Sequence, residues 1–557
     1  MEGKAAQLDH SGHTNPILKW GSLVVLSLGL AIIIIDTTLL NVSLSVIIKD
    51  LNTNIQSIQW VITTYALILA AFTITGGRIG DLFGRKRMFM VGAAIFAIGS
   101  FLASISHSVG VLLLGESIIE GVGAALMMPA TASLLIANYR GKDRAIAFGV
   151  WGGIAGASSA IGPILGGFLT KYYSWRWGFR INVFVAAILI IGSILLIKES
   201  SDTVEKKQID YFGVVLSAIG LLGVVFGIIE ATTYGWLYAK QDFLIGSTNL
   251  SFGGFSPVPF SILLGIISLV AFFIWEKRVE AMGKTPLVSL ELFQNRTFTI
   301  GVLTTSIISL GLIGSMFSLP VFLQSVLKLD ALNTGIALLP LSLTMLVMAP
   351  VSGFLTGKFN LKYLILTGIA IDAVGMLVIR AGIGSTAATT NLTPGLIIMG
   401  FGMGMVMAQI SNLTLSAVSM QQAGEASGVN NTMRQVGSSL GSAIIGAVLL
   451  TVLSSNLVSG INSSTVIPQN AKAQIAKVVS NKSASVEFGG GAAVAKNVPP
   501  AVVVEITRIG RNASAAATRT AFIFSGVFVL LAFISALFLP KKRDEDKSAT
   551  HTAASGH

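Results

Sequence analysis

Fourteen runs of about twenty apolar residues, recurring from Ile17 almost to the C-terminus, constrain this chain more than any other feature. At 1.5 Å per residue, each run makes a helix long enough to cross a hydrocarbon core of about 30 Å. Within lipid every backbone N–H and C=O must be satisfied inside the segment or around a closed barrel. Barrel strands are only about ten residues long and alternate with period two, and these runs do neither. Composition agrees, with 53% hydrophobic and 11% charged residues, where soluble domains carry roughly 25% charge. The expected class is an all-α polytopic membrane protein.

Charge fixes the expected orientation. Lys and Arg accumulate on the cytoplasmic side of membrane spans. Lys541, Lys542 and Arg543 follow the last run, so an even number of spans puts both termini in the cytoplasm. The same register places Arg140, Lys142 and Arg144, then Lys198, Lys206 and Lys207, then Lys277, Arg278 and Arg296 inside. One region conflicts: residues 455–518, read as a loop between spans at 430–454 and 519–540, carry Lys472, Lys477, Lys482, Arg508 and Arg511 yet fall outside. Long loops cross largely regardless of charge. The formal net charge of +12 is therefore the footprint of topology and anionic lipid contact, and nucleic acid is not an expected partner. Cys is absent, and the five His residues are not paired within a span, so no metal site or thiol chemistry is expected. Residues 1–19 read as a polar tail, with neither a cleavable signal nor a soluble domain before the first span.

The most distinctive loop is Gly76 to Phe89, GGRIGDLFGRKRMF. Gly77, Asp81, Gly84, Arg85 and Lys86 in that spacing resemble the signature loop of the major facilitator superfamily of transporters. A weaker copy, Gly353 to Lys362, keeps the glycine start and the basic turn and has lost the acid. Parallel repeats of six helices are how the halves of such transporters are built. The resemblance implies a major facilitator fold with a six-helix half at 20–200, two inserted helices within 201–294, a second six-helix half at 295–540 and a tail at 541–557.

Further stretches narrow it. Ile35-Asp36-Thr37-Thr38-Leu39-Leu40-Asn41-Val42 resembles the first-helix signature of drug:proton antiporters, and Gly162-Pro163 with Gly166-Gly167 is similar to the helix-five antiporter motif. Trp175-Arg176-Trp177, Ile181-Asn182-Val183, Pro286-Leu287-Val288, and Gly424-Glu425-Ala426-Ser427-Gly428 with Asn431 and Arg434 resemble the fourteen-helix drug:proton antiporter-2 family. What this implies is a plasma-membrane antiporter, and not an enzyme. It would need no cofactor beyond the proton gradient and act as a monomer in contact with lipid. Its expected cargo is lipophilic, often cationic small molecules, exported against protons.

Two of these motifs have readings of their own. The helix-five glycines and Pro163 allow close helix approach or a bend where a neighbour slides. Asp81 can accept hydrogen bonds from helix N-termini or pair with a base across the halves, while Arg85 and Lys86 suit lipid phosphate or acidic partners. The resemblance implies a cytoplasmic latch.

Buried acids carry the sharper chemistry. Asp36 lies well inside helix one, and Glu116 and Glu120 lie four apart on one face of helix four. A charge at such depth costs about 2.5–3.5 kcal/mol on insertion scales, so it marks a cavity, a partner or a proton site. The family pattern has an Arg where this chain has Ser117, and Arg180 occupies a helix-six position where relatives are apolar. Arg180 is read as a balance for Glu116. Asn41 and Gln409 complete the proton and substrate set, with Gln324, Asp372 and Asn412 as further polar candidates, and the Met399 to Met407 stripe reads as packing around Gly400 and Gly404.

A membrane enzyme lacks its constellation here, and a channel fits the two-half repeat less well. A proton-coupled transporter of one nutrient or metabolite, as symporter or exporter, is the second reading, because a carboxylate pair serves either direction of coupling. The topology is testable with single cysteines introduced into this Cys-free chain. A cysteine replacing Lys482 is expected to label from outside and one replacing Lys142 from the cytoplasm; the reverse at position 482 overturns the parity.

Overall fold

Each apolar run is a helix in the computed structural model, which describes residues 16–53, 55–200, 209–240, 243–245, 248–249, 253–356, 358–469, 472 and 500–540. Among the described residues, fourteen helices are long and apolar enough to cross a membrane. In chain order they are α1 Pro16–Asp50, α2 Ile55–Phe83, α3 Arg85–Ser104, α4 Val109–Asn138, α5 Gly141–Tyr172, α6 Arg176–Leu196, α7 Tyr211–Tyr234, α8 Pro257–Ala281, α9 Arg296–Ser325, α10 Ala331–Leu355, α11 Leu361–Gly382, α12 Thr389–Ser416, α13 Ala423–Ser463 and α14 Pro500–Leu537. Strand is confined, among the described residues, to a small antiparallel pairing of Leu244–Ile245 with Thr248–Asn249. The tails, Gly357, and the lysines at 206, 207, 477, 482, 541 and 542 lie outside the described residues.

The helices form two six-helix halves, α1–α6 and α9–α14, with α7 and α8 inserted between them. Glycine decides where they touch. In the first half, Gly92 and Gly99 of α3 face Gly123 and Gly115 of α4 backbone to backbone, and a Cβ on any of the four would strike the neighbouring chain. Lipid offers little hydrophobic drive between helices, so such close approach supplies the association. The pair α7–α8 meets in the same way through Gly220, Gly223 and Gly265, and α7 then packs on α2 and α13. The outer face of α8 is left to lipid, with Leu263, Leu264, Ile267 and Val270 all exposed.

The repeat shows in a pair of contacts across the halves. Gly77 near the end of α2 abuts the Gly424 carbonyl at the start of α13, and Gly353 near the end of α10 abuts the Ala145 carbonyl at the start of α5. In each case the second helix of one half rests on the fifth helix of the other. Both contacts lie at the end of the bundle that holds the basic turns, here the basic end.

The region read as a loop at 455–518 differs from that expectation. Helix α13 runs to Ser463 and α14 begins at Pro500, and at 41 and 38 residues they are about 60 Å long, twice the hydrocarbon thickness. The reason is a leucine stripe that continues past the apolar run: Leu449, Leu453, Leu457 and Ile461 on α13 pack against Val502, Ile509, Ala513 and Ala517 on α14. An i, i+4 stripe diluted by polar residues makes an amphipathic helix without the hydropathy of a span. Between the projecting ends lies a polar cavity of about 450 Å³ lined by Asn456, Ser463, Glu505 and Arg508 among others.

At the end away from the basic turns, the Trp175-Arg176 motif clasps the first half. The Trp175 indole donates to Asp50 Oδ2 at 3.0 Å and Arg176 donates to the same oxygen at 2.7 Å. These two donors hold the Asp50 carboxyl below its usual range. Arg176 also reaches the Ser106 carbonyl at 2.7 Å, tying α1, α3 and α6 together.

Because Gly353 meets backbone rather than a flexible side chain, Gly353→Val is expected to part α10 from α5 at the basic end. A cysteine introduced at Ile146 should then label several times faster than in the unsubstituted background. An unchanged rate means that α5 yields locally and the glycine contact does not set the closure.

Candidate functional site

Two charged clusters stand out, one at the basic end and one deep in the first half. The basic-end cluster is built on the short turn between α2 and α3. Gly84 adopts φ +111° there, a conformation that suits glycine, and a Cβ would meet the Glu199 carboxylate at 2.8 Å. Glu199 uses that space to cap α3, accepting from the amides of Lys86 at 3.0 Å and Arg87 at 3.1 Å. Lys86 reaches back to the Ile194 carbonyl in the last turn of α6 at 3.2 Å, the favoured place for a cation.

Asp81, fully buried, faces the N-terminus of α13. Its Oδ1 accepts from the Gly424 amide at 3.0 Å and its Oδ2 from the Glu425 amide at 2.8 Å. Arg85, 1% exposed, donates to Asp81 Oδ1 at 2.8 Å, to the Met420 carbonyl at 2.6 Å and to Ser200 Oγ at 3.0 Å. A carboxylate on free helix amides, braced by a guanidinium, is a strong charge-assisted contact. It joins residues more than 330 positions apart in the chain, across the two halves. Sequence reasoning missed the next layer. Glu425 lies 3.7 Å from Arg78 of α2 and accepts from the Ser289 amide. The neighbouring amides of Leu287 and Leu290 go to Glu276 and Glu280 of α8, both at 2.8 Å.

The second cluster gathers Asp36, Glu116 and Glu120, none more than 2% exposed. Asn182 of α6 bridges two of them, its Nδ2 donating to Asp36 Oδ1 at 2.7 Å and to Glu120 Oε1 at 3.1 Å. Asp36 Oδ2, Glu120 Oε2 and the Tyr65 hydroxyl are buried without a hydrogen bond. Two carboxylates that share one amide repel if both are ionised. Glu116 sits in a π-helical stretch, Leu113–Glu120, that widens α4; such turns mark functional sites. The Ser117 hydroxyl lies 2.7 Å from both Glu116 Oε2 and the Val61 carbonyl. With one hydrogen it serves one acceptor at a time, and a protonated Glu116 donating to Ser117 satisfies the whole chain.

Helix five fits around this cluster. A Cβ at Gly162 or Gly166 would strike Thr38 or Leu39 of α1, beside Asp36, while Pro163 lies near Gly335 of α10 and Gly167 faces Leu332 at ordinary contact. The motif therefore touches the acid-bearing helix on one side and the opposite half on the other.

Two expected residues, Arg180 and Gln409, are not brought to the acids. Arg180 is exposed and stacks on Trp177, 5.1 Å from the ring centre, because the buried face of α6 runs through Gly178, Asn182, Ala186 and Leu189. The signal for Asn182 was this small-residue stripe, two positions from the arginine. Gln409 is buried at the meeting of α12, α10 and α5, donating to Ser352 Oγ at 3.0 Å and contacting the Ala145 carbonyl at 3.5 Å. It belongs with the basic-end closure. The side chain of Asn41 lies outside the described residues. Gln324 is exposed, and Asp372 is buried where α11 meets Gly402 of α12.

The Asp81 contact carries a direct test. In Asp81→Asn an amide donor must face a helix amide or the arginine, and each lost charged hydrogen bond is worth about 1.5–3 kcal/mol. A cysteine introduced at buried Ala423 is expected to gain reactivity about tenfold or more. Wild-type reactivity in that variant leaves the turn with topology as its only role.

Residues 26–442 match the Major Facilitator Superfamily. The chain is 27% identical over 539 residues to the tetracenomycin C resistance and export protein of Streptomyces glaucescens, covering 95% of this chain and 93% of that one. It is 31% identical to the puromycin resistance protein pur8 of Streptomyces alboniger, covering 77% and 82%, and 30% identical to a probable actinorhodin transporter of Streptomyces coelicolor, covering 80% and 75%. Its fold matches the proton:xylose symporter XylE with a TM-score of 0.55 at 12% identity, over 96% of this chain and all of that one. The structure of the human organic anion transporter MFSD10 matches with a TM-score of 0.52 at 12% identity, over 93% and all of that chain. The chain is a multi-pass membrane transporter of the Major Facilitator Superfamily.

Proposed function

We propose that this chain exports lipophilic, often cationic small molecules of the antibiotic and drug class across the plasma membrane, each exchanged for protons by alternating access. The observation that carries the reading is the Asp36–Asn182–Glu120 bridge, a pair of acids with one shared donor and two unbonded oxygens in the interior of the first half. A group in that setting changes its hydrogen bonding when it gains or loses one proton. The relatives named for resistance and export supply the substrate class.

In this reading the basic end faces the cytoplasm with both termini, and the closed Asp81–α13 contact describes the state closed to the cytoplasm. Protonation of the acid pair from outside relaxes the repulsion between Asp36 and Glu120. Helix α1 can then shift against the Gly162 and Gly166 face of α5. The latch opens, the proton leaves to the cytoplasm, and the recharged acids restore the closed state around a loaded substrate. The proton gradient is the energy source, and one chain holds every group used. Lipid headgroups meet the exposed Arg87 and the lysines beside the basic turns. The acids are enclosed in this state, so a cation competes for them only after the interior opens.

Asp36→Asn and Glu120→Gln each are expected to abolish proton-driven uphill efflux of an ethidium-like dye from an efflux-deficient cell while leaving expression intact. Dissipating the proton gradient should do the same to the unsubstituted chain. Full uphill transport in both variants removes these acids from coupling; no change in accumulation for any amphiphile of a broad panel turns the reading to a nutrient or metabolite.

A further inference from the structure

One cation at mid-depth is used by neither cluster. Arg434 stands eleven residues into α13, about 16 Å from the basic end and half-way across a 30 Å core. Its guanidinium makes no hydrogen bond or ion pair with any described residue; only its backbone carbonyl accepts, from Ser438. Three other arginines of the spans are engaged. Arg78 faces Glu425, Arg85 is on Asp81, and Arg519 donates to the Ile383 carbonyl at the outer end of α11.

The direction in which Arg434 points follows from its helix. Ser427, Asn431, Arg434 and Ser438 recur at helical spacing on one face. Ser427 on that face donates to the Pro129 carbonyl of α4 at 3.1 Å, so the face looks across the divide between the halves. To one side Gly428 abuts Ile74 of α2, and to the other Gly437 abuts the Ser306 carbonyl of α9. Arg434 lies between these contacts and two turns further from the basic end than Ser427. It is only half-buried, whereas Asp36, Glu116 and Glu120 are enclosed within the first half. A molecule between the halves meets this guanidinium before it meets an acid.

Resting on the export reading above, we propose that Arg434 anchors an acidic group of the exported molecule, so that the substrates include amphiphiles bearing a carboxylate or phenolate. An unpaired cation at mid-membrane is costly and calls for a partner. The acids of the first half are already engaged with Asn182 and Ser117, and Asp372 lies on α11, which packs on α12 and α14. A guanidinium offers a planar fork of donors that fits a carboxylate in two parallel bonds, and it stays charged throughout the cycle. The labour divides accordingly: the acids of the first half carry the proton and the arginine of the second half holds the cargo.

The test uses the purified full-length chain and two probes that share one ring system, rhodamine B, which carries a free carboxylate, and its ethyl ester. Binding is read by fluorescence anisotropy. The unsubstituted chain is expected to prefer the acid. Arg434→Gln should weaken the acid about tenfold or more while moving the ester by less than about twofold, and Arg434→Lys should keep part of the preference. No preference in the unsubstituted chain, or equal losses for both dyes in Arg434→Gln, overturns the assignment. If Arg434→Gln does not fold, the acid-to-ester ratio in the unsubstituted chain and in Arg434→Lys decides. Proton-driven transport of both dyes is measured separately in vesicles. Absent transport with an intact, Arg434-dependent binding preference counts against the export reading and leaves the anchor standing.

Discussion

Burying charge in a hydrocarbon layer is the constraint on which this molecule turns. Each intramembrane acid needs a donor or a proton, and the chain meets that need in two different ways. Asp81 is compensated in full by two helix amides and a guanidinium, so its contact is stable while it is made and costly to leave half-made. Asp36 and Glu120 are compensated only in part, by one shared amide. The first arrangement suits a contact that is either whole or absent. The second suits a group whose bonding depends on a single proton.

The helices that carry these clusters are the same helices. Val61 and Tyr65 of α2 stand beside the acids, and Gly77 and Asp81 of that helix form the contact at the basic end. On α4, Glu116 and Glu120 precede Pro129. Proline has no N–H, so the carbonyl four residues back, that of Ala125, loses its helical donor, and it is there that Gly76 of α2 comes into backbone contact. The Pro129 carbonyl in turn accepts from Ser427 of α13. The acids and the surface where α13 begins are thus joined by continuous helix, which is the route the proposed coupling would use.

Much of this was legible in the sequence, for reasons that differ by feature. Span number followed from run length, because lipid admits little else. The Gly77-to-Lys86 turn was legible because an acid among bases and glycines in that spacing resembles a signature loop; the positive φ that Gly84 adopts came only with the structure. Asn182 was read only as part of a family motif and Arg180 as the partner of the acids, while the small-residue stripe of α6 decides which face is inward. Ser117 was read only as a missing arginine, although a hydroxyl between Glu116 and a backbone carbonyl forms a proton-dependent chain of its own. The extent of α13 and α14 was hidden because hydropathy measures mean apolarity, and a leucine every fourth residue holds a helical pair together at much lower apolar content.

The inserted pair α7–α8 acquires a mechanical place from where its acids go. Glu276 and Glu280 of α8 hold the amides of Leu287 and Leu290, and Glu425 of α13 takes the amide of Ser289 between them. Three acids from two helices thus read one four-residue stretch of backbone, Leu287 to Leu290, whose apolar side chains Leu287 and Val288 are buried in a core cluster that joins both halves. Glu425 is at the same time the residue whose own amide donates to Asp81. In the proposed cycle, a departure of α13 from Asp81 would either drag the Ser289 segment and α8 with it or break the Glu425 contact beside Arg78. Either way the insert is coupled to the closure at the basic end. Two added helices, otherwise facing lipid on one side, thereby bear on the interface between the halves.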